Sequence, residues 1–415
     1  MAVSFSTLRI NPDRMLDAFN QLALIGATGD GGVNRTTFSE AHLTARRWFR
    51  EQIENSGLVF RTDGAGNHSA FLSCGIMDAP TLLFGSHLDS VPKGGRFDGA
   101  LGVMAAFEVL RTVKENGISL KLNLETIDFT DEEGTHLSLF GSSALSGHLH
   151  PEDLRNPYSG REDFTAGLAR AGLTEAGLLQ AKRAKETVAG YLELHIEQGK
   201  RLERAGIDIG VVSAIVGYGS YRMSYVGRAD HAGSTAMEDR LDAGQGVAAF
   251  ILATRETVMR DFPNCVANVG KIEFAPGASN IVPARADFLL EFRSSDADQL
   301  SKLDAALMQL AKQKAEQLGL QVTAEPLGKH IPNLMSAEIQ QAFLRSCDDL
   351  GLSNTVLASG AIHDAQSLVD ICPIGMIFVP SVDGASHAPR EFTKWGDCVN
   401  GANVLLQSVL QLAAG

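Results

Sequence analysis

At 415 residues the chain is longer than one ordinary core requires, so length favours two domains or one domain with a large insertion. Apolar residues make up 44% and charged residues 20%, the balance of a globular chain, and no run approaches the roughly 20 apolar residues of a membrane helix. With 36 basic against 49 acidic residues the formal charge is −13, which argues against nucleic acid as a partner, because no basic excess is present to displace counterions from phosphates.

The first 14 residues mix Ser, Thr, Arg, Asn and Asp with isolated apolar residues and lack the continuous apolar core of a secretion signal. Met15, Leu16, Phe19 and Leu22, and then Leu43, Trp48, Phe49 and Ile53, recur at helical spacing, predicting two amphipathic helices around the Gly-rich stretch 26–32. From residue 81 onward short continuous apolar runs alternate with helical patterns, the signature of an α/β fold with a largely buried sheet. Runs at 81–84, 120–129, 191–194 and 374–379 are each followed at once by a polar cluster. In open α/β sheets the ligand crevice lies beyond the carboxyl ends of the strands, so four distant segments can deliver side chains to one place.

The stretch from about 220 to 326 reads as strand 221–227, helix 240–262, strands 266–274 and 281–292, helix 297–318 and strand 320–324. That βαββαβ order is a ferredoxin-like unit inserted into the main domain, which gives an expected division of 1–215, 216–328 and 329–415. Five scattered cysteines, never in a CxxC pair, fit a reduced cytoplasm.

A hydrolytic metal site needs imidazole and carboxylate ligands converging from several elements, with a position open for water. His87, Asp98, Glu133, His195 and His387 supply three imidazoles and two carboxylates, enough for two metals if one carboxylate bridges. Asp98 is the natural bridge, because the glycines of Gly94-Gly95-Arg96-Phe97-Asp98-Gly99 let backbone approach closely. Singly, each residue is more often structural: a histidine after a strand is commonly just hydrogen-bonded, and adjacent acids such as Glu132-Glu133 commonly form a solvated loop. Their joint occurrence at strand ends carries the argument.

Five motifs, Gly85-Ser86-His87-Leu88-Asp89-Ser90-Val91, Asp131-Glu132-Glu133-Gly134, His195-Ile196-Glu197-Gln198-Gly199, Asp230-His231-Ala232-Gly233-Ser234-Thr235 and Ser386-His387-Ala388-Pro389, taken in this order, resemble the M20 metallopeptidase clan. Together with Gly360-Ala361-Ile362-His363-Asp364-Ala365 they resemble its hydantoinase/carbamoylase branch, which includes N-carbamoyl-L-amino-acid hydrolases, β-ureidopropionases and allantoate amidohydrolases. The resemblance implies an aminopeptidase-like catalytic domain holding two divalent ions, zinc or else manganese, cobalt or nickel. It assigns His87 and His195 to one ion, Glu133 and His387 to the other, and Asp98 to both. It implies Glu132 as general base acting on a water between the metals, and Asp89 as the carboxylate that orients His87. It further implies that His231, Asn280 and Arg293 of the insertion, with Gln198 and Gly360, bind a small carboxylate-bearing ureido or amide substrate. An Arg fork suits a carboxylate, and an Asn can pair with both edges of a carbamoyl group. The insertion is implied to be a lid and dimerisation domain, with His231 reaching the other protomer's site to stabilise an oxyanion.

The chain departs from the branch at His136-Leu137, at Ser234-Thr235-Ala236-Met237 and at Ile362-His363, none of which is an implied ligand. An exopeptidase, an N-acyl-amino-acid deacylase and an allantoate or ureidoglycolate amidohydrolase share the metals and Glu132. Gln198, Asn280 and Arg293 favour the ureido branch over the first two. A binding protein on a dead hydrolase scaffold would lack a ligand or the base, and all six are present. No G-x-S-x-G elbow with a plausible partner order supports a serine hydrolase.

Overall fold

The structure, a computed structural model, describes residues 7–414; residues 1–6, which begin the segment expected to lack a signal core, lie outside the described residues. Helix α1 (Pro12–Leu24) starts at Asn11, whose side chain accepts the Arg14 amide, with Pro12 in the first turn where no amide donor is needed. It buries Met15, Phe19 and Leu22, and α2 (Glu40–Asn55), capped by Ser39, buries Ala45, Phe49 and Ile53. Strands β1 (Val59–Thr62), β2 (His68–Leu72) and β3 (Thr81–His87) follow, then α3 (Ala100–Glu115), β4 (Asn123–Phe129), β5 (Val188–Ile196) and β6 (Ile209–Ile215). Next come β7 (Gly217–Val226), α4 (Ala243–Asp261), β8 (Val266–Ala275), β9 (Arg285–Ser294), α5 (Ala297–Gln317) and β10 (Gln321–His330). The chain finishes with β11 (Asn333–Leu334), α6 (Ala337–Leu350), β12 (Asn354–Ser359), β13 (Ile374–Val379) and α7 (Trp395–Ala413).

The larger sheet runs β1-β2-β4-β3-β5-β13-β6-β11, with β12 paired to β6. Its centre is parallel (β4-β3-β5-β13) and its flanks are antiparallel. Every residue of β3 and β13 is buried, which is why these strands read as continuous apolar runs rather than as alternation. Helices α3 and α7 pack on each other and on this centre through Leu101, Val109, Leu405 and Leu406. Phe49 of α2 meets Phe107 of α3 edge-on at 5.5 Å, a core contact of the kind whose truncation to alanine costs about 3–5 kcal/mol.

The chain divides into two compact units: Met1–Ser213 with Met335–Leu357 and Ile362–Gly415, and Ala214–Leu334 with Ala358–Ala361. The second unit has a four-stranded sheet ordered β10-β7-β9-β8, all antiparallel, with α4 and α5 packed together on it. On β9 burial alternates, so Ala286, Phe288, Leu290 and Phe292 face the helices in one core with Tyr225, Phe250 and Leu303. The unit's entering and leaving strands pair with each other, Ile215 with Asn333 and Ala214 with Leu334. Four expected element boundaries of this unit moved by three residues or more: β7 begins at Gly217 rather than 221 and β10 runs to His330 rather than 324, the two strands pairing along that added length. Strand β9 begins at Arg285 rather than 281, because Pro283 has no amide to give a ladder and Ile281 instead bridges His231. Helix α4 begins at Ala243 rather than 240, because the Asp242 carboxylate caps it by accepting the Gly244 and Gln245 amides. No helix among the described residues is long and apolar enough to cross a membrane.

Candidate metal centre

Because β3, β4, β5 and β13 are parallel neighbours, their carboxyl ends open on one edge of the sheet, and the four polar clusters meet there. His87 closes β3. The residue after it is held by both of its backbone polar atoms: the Leu88 amide donates to Asp128 Oδ1 at 2.8 Å, and its carbonyl accepts from Arg35 Nε at 3.1 Å. Both clamping side chains are buried, and Arg46 Nε lies 3.0 Å from Asp128 Oδ2. Asp89 then turns back under the site. Its oxygens accept the Glu132 and Glu133 amides at 3.3 and 3.2 Å and the Thr37 hydroxyl at 3.1 Å, so one carboxylate ties the β3 loop to the β4 loop.

His87 Nδ1 faces the Asp89 carbonyl at 3.1 Å and the Asp89 carboxylate at 3.6 Å, and His195 Nδ1 faces the Ile196 carbonyl at 2.9 Å. Each imidazole therefore spends its Nδ1 proton on a fixed acceptor and turns Nε2 to Asp98. Asp98 Oδ1 lies 3.0 Å from His195 Nε2 and 3.6 Å from His87 Nε2, whereas Oδ2 lies 3.5 Å from His387 Nε2. His387 Nε2 is in turn 3.4 Å from Glu133 Oε2, and His87 Nε2 is 3.5 Å from Glu132 Oε2. Gly99, with φ 62°, admits this arrangement: a Cβ there would stand 2.3 Å from the His87 ring. Gln198 donates through Nε2 to Asp98 Oδ2 at 2.7 Å, as does the Ser386 hydroxyl at 2.8 Å. Asp131, Gln198 and His387 all hold left-handed backbone, strain of about 1–3 kcal/mol each that structures keep where function requires it.

The charges on these groups act on one another. Burial disfavours the His87 imidazolium, yet Glu132, Asp89 and Asp98 together hold it well above the ordinary range; His387 rises to about 9, chiefly through its bond to Asp98. Burial and then Asp98 push Glu133 up to about 7, and burial raises Glu132 well above the usual carboxylate range. Asp98 goes the other way: burial is outweighed by His195, His387 and His87, and its carboxyl is held well below the usual range.

The donor set fits divalent cations. His87, Asp98 and His195 offer atoms within 4.8 Å of one another, as do Asp98, Glu133 and His387, with Asp98 common to both groups. His87 Nε2 is buried with no hydrogen-bond partner, as expected of an atom built to face a cation. The sequence model of Peptidase family M20/M25/M40 matches residues 83–411.

The chain belongs to that family.

Within it the chain stands with the hydantoinase/carbamoylase amidases. An N-carbamoyl-L-amino acid amidohydrolase of Geobacillus stearothermophilus is 38% identical over 98% of this chain and 100% of its own. An allantoate amidohydrolase of Bacillus subtilis (strain 168) is 30% identical over 96% of this chain and 97% of its own. A solved amidase of the hydantoinase/carbamoylase family from Burkholderia multivorans is similar with a TM-score of 0.91 at 31% identity, covering 99% of both chains.

His231, Asn280, Arg293 and Gly360 of this M20 member lie in its second unit. His231 Nδ1 accepts the Gly233 and Ser234 amides, both at 3.1 Å, which leaves the proton on Nε2 of an exposed ring. Asn280 is its neighbour, accepting the Ala232 amide at 3.0 Å. Arg293 donates Nη1 to the Gly360 carbonyl at 2.8 Å and pairs with Glu291 at 2.8 Å, so Gly360 sits beside Arg293. His363 is buried against His195, with ring centroids 4.6 Å apart. Sequence reasoning missed Arg240, whose Nη2 holds the His231 loop by the Ala232 and Thr235 carbonyls at 2.6 and 3.0 Å. It also missed the Leu88 clamp and Glu391, which accepts the Phe97 and Asp98 amides. None of these has a motif of its own; for Glu391 the signal was only its closeness in sequence to His387.

Proposed function

We propose that this M20 member hydrolyses the carbamoyl C–N bond of an N-carbamoyl amino acid, or of a closely related small ureido carboxylate, with Glu132 as the proton carrier. It is a metal-dependent amidohydrolase acting on C–N bonds other than peptide bonds. The observation that carries the reading is Asp98, whose two oxygens face two different sets of imidazole and carboxylate donors, in a chain related along its whole length to an enzyme named for that substrate.

Two divalent cations held by His87, His195 and Asp98 on one side and by Glu133, His387 and Asp98 on the other would supply Lewis acidity and acidify a water. Burial raises Glu132 above the usual carboxylate range, and a carboxylate next in sequence to a ligand is placed to take a proton from that water and return it to the leaving nitrogen. Asp89 fixes the amides of both glutamates and so sets where their side chains start. The Nε2 proton of His231 suits a developing oxyanion, Asn280 a carbamoyl group, and the Arg293 fork a substrate carboxylate, which would compete with Glu291 for an exposed ion pair worth little in water. Gln198 and Gly360 complete this set, Gly360 by holding Arg293.

We read the insertion as a lid and dimerisation domain. Strand β8 is a sheet edge with Val266, Ile272 and Phe274 exposed, and Leu252 and Met259 lie exposed on α4, apolar surface that a second copy would cover. The five unpaired cysteines of the whole chain suit a reducing cytoplasm.

The test is a turnover screen of metal-reloaded enzyme against N-carbamoyl-L-amino acids, N-carbamoyl-β-alanine, allantoate, N-formyl and N-acetyl amino acids and dipeptides, with metal content measured on the same sample. N-Carbamoyl amino acids should turn over fastest, with close to two ions per chain; chelation should abolish activity and metal restore it. Faster cleavage of acetyl or peptide substrates would overturn the ureido reading, and an active preparation that plateaus at one ion would overturn the dinuclear one.

A further inference from the structure

We propose that Glu391 is a positioning residue that fastens the loop carrying Asp98 to the loop carrying His387. The proposal rests on the reading of Asp98 and His387 as metal ligands. Glu391 is 3% exposed, and its Oε1 alone accepts both the Phe97 amide at 2.8 Å and the Asp98 amide at 3.0 Å. Its own amide donates to the Ala388 carbonyl at 3.0 Å, closing a turn that begins directly after His387. The next residue repeats the attachment: the Phe392 ring stands edge-on to Phe97 with centroids 5.7 Å apart. Two consecutive side chains of one loop thus grip two consecutive residues of the other.

The arrangement is costly by itself. The Glu391 carboxylate is buried close to Asp98, and burial and that like charge push it up to about 7. Its Oε2 is buried with no hydrogen-bond partner. An apolar side chain would avoid both costs but would leave the buried Phe97 and Asp98 amides without an acceptor, which is more costly than leaving both partners out. What the carboxylate supplies is a fixed height for the Asp98 backbone relative to His387. Because Asp98 faces both donor sets, a shift of its backbone disturbs both. Gly95 is the fitting partner: a Cβ there would stand 2.0 Å from the Glu391 carboxyl carbon, so the loop passes the clasp only where residue 95 has no side chain.

The test titrates cobalt(II) into chelated full-length protein and follows the visible absorption of the bound ion, with the unfolding midpoint recorded for each variant. Glu391→Ala should lower cobalt affinity about 10–100-fold, the usual effect of losing a support behind a ligand, whereas Glu391→Gln, which keeps an oxygen facing the two amides, should restore most of it. Gly95→Ala should mimic Glu391→Ala, and the double variant should bind no worse than Glu391→Ala, because the new methyl enters the space the carboxylate has left. Unchanged affinity in Glu391→Ala, or fully additive losses in the double variant, would overturn the proposal. Should Glu391→Ala fail to fold, Gly95→Ala decides: weaker cobalt binding at an unchanged midpoint supports the clasp, and unchanged binding overturns it. Asp98→Asn is the control on the underlying reading. If it too keeps full affinity, the ligand assignment has failed; if it loses cobalt while Glu391→Ala does not, only the clasp has.

Discussion

Glu132 and Glu133 leave the same loop, each with its amide on the Asp89 carboxylate, and their side chains reach different imidazoles: Glu132 approaches His87 at 3.5 Å, Glu133 approaches His387 at 3.4 Å. Glu132→Gln keeps shape but removes the proton carrier, so turnover should fall on the order of 10²–10⁴-fold or more with metal content retained. Glu133→Gln replaces an anionic donor with a neutral one, so its metal content should fall. Metal analysis and kcat on both variants check this, and equal metal loss in the two would contradict the division of labour. At this scale the sequence was informative wherever a residue lay in a short motif. Gly99 and Asp98 could be read together because the glycine that makes room for the His87 ring is the next residue. Arg240 and Glu391 could not: Arg240 reaches back to the nearby Ala232 and Thr235 carbonyls and Glu391 to amides far along the chain, both through ordinary hydrogen bonds that impose no spacing.

The turn leaving β3 shows how an element aims a ligand. Arg35, 1% exposed, gives Nε to the Leu88 carbonyl and Nη1 to the Leu22 and Ile25 carbonyls at 3.0 and 3.2 Å, so one guanidinium joins the end of α1 to the residue between His87 and Asp89. Burial pushes its pKa down to about 10, the mark of a cation out of water and not directly paired. Arg35→Met should fill similar space while removing the donor from the Leu88 and Ile25 carbonyls, the Leu22 carbonyl keeping the Ile25 amide, and so lower stability on the order of 2 kcal/mol. Denaturant unfolding of the metal-loaded protein measures it, and a change under about 0.5 kcal/mol would mean that water replaces the guanidinium. Among elements, the parallel central strands were legible because burial on both faces makes them apolar throughout. The apolar pair Ile281-Val282 before Pro283 imitated a strand start, and only the proline's missing amide says that the ladder begins later. Asp242 was a readable cap, an acid directly before the helix, but the acids and arginine just ahead of it at 238–240 offered an earlier start.

At the scale of the whole molecule, assembly is the property least visible in one chain, because an exposed edge and an exposed apolar residue look alike whether water or a second copy meets them. The reading of His231 as acting on the other protomer's centre gives a sharp outcome. A Glu132→Gln chain and a His231→Ala chain, each nearly inactive, should recover roughly a quarter of the unmodified rate after subunit exchange, since half the dimers are mixed and each mixed dimer has one undamaged site. No recovery would mean that His231 serves its own chain, and a fully active monomer would remove the dimer altogether. The pairing of Ile215 with Asn333 and Ala214 with Leu334 carries a different consequence. The long excursion of chain from 214 to 334 begins and ends on adjacent rungs of one ladder, so lengthening, shortening or exchanging what lies between them leaves the doorway the same width. His87, Asp98, Glu132, Glu133, His195 and His387 all lie outside that doorway. The chain is thus arranged so that descent with modification can rewrite the groups read here as gripping the substrate, His231, Asn280 and Arg293, as a cassette while inheriting the metal centre unedited.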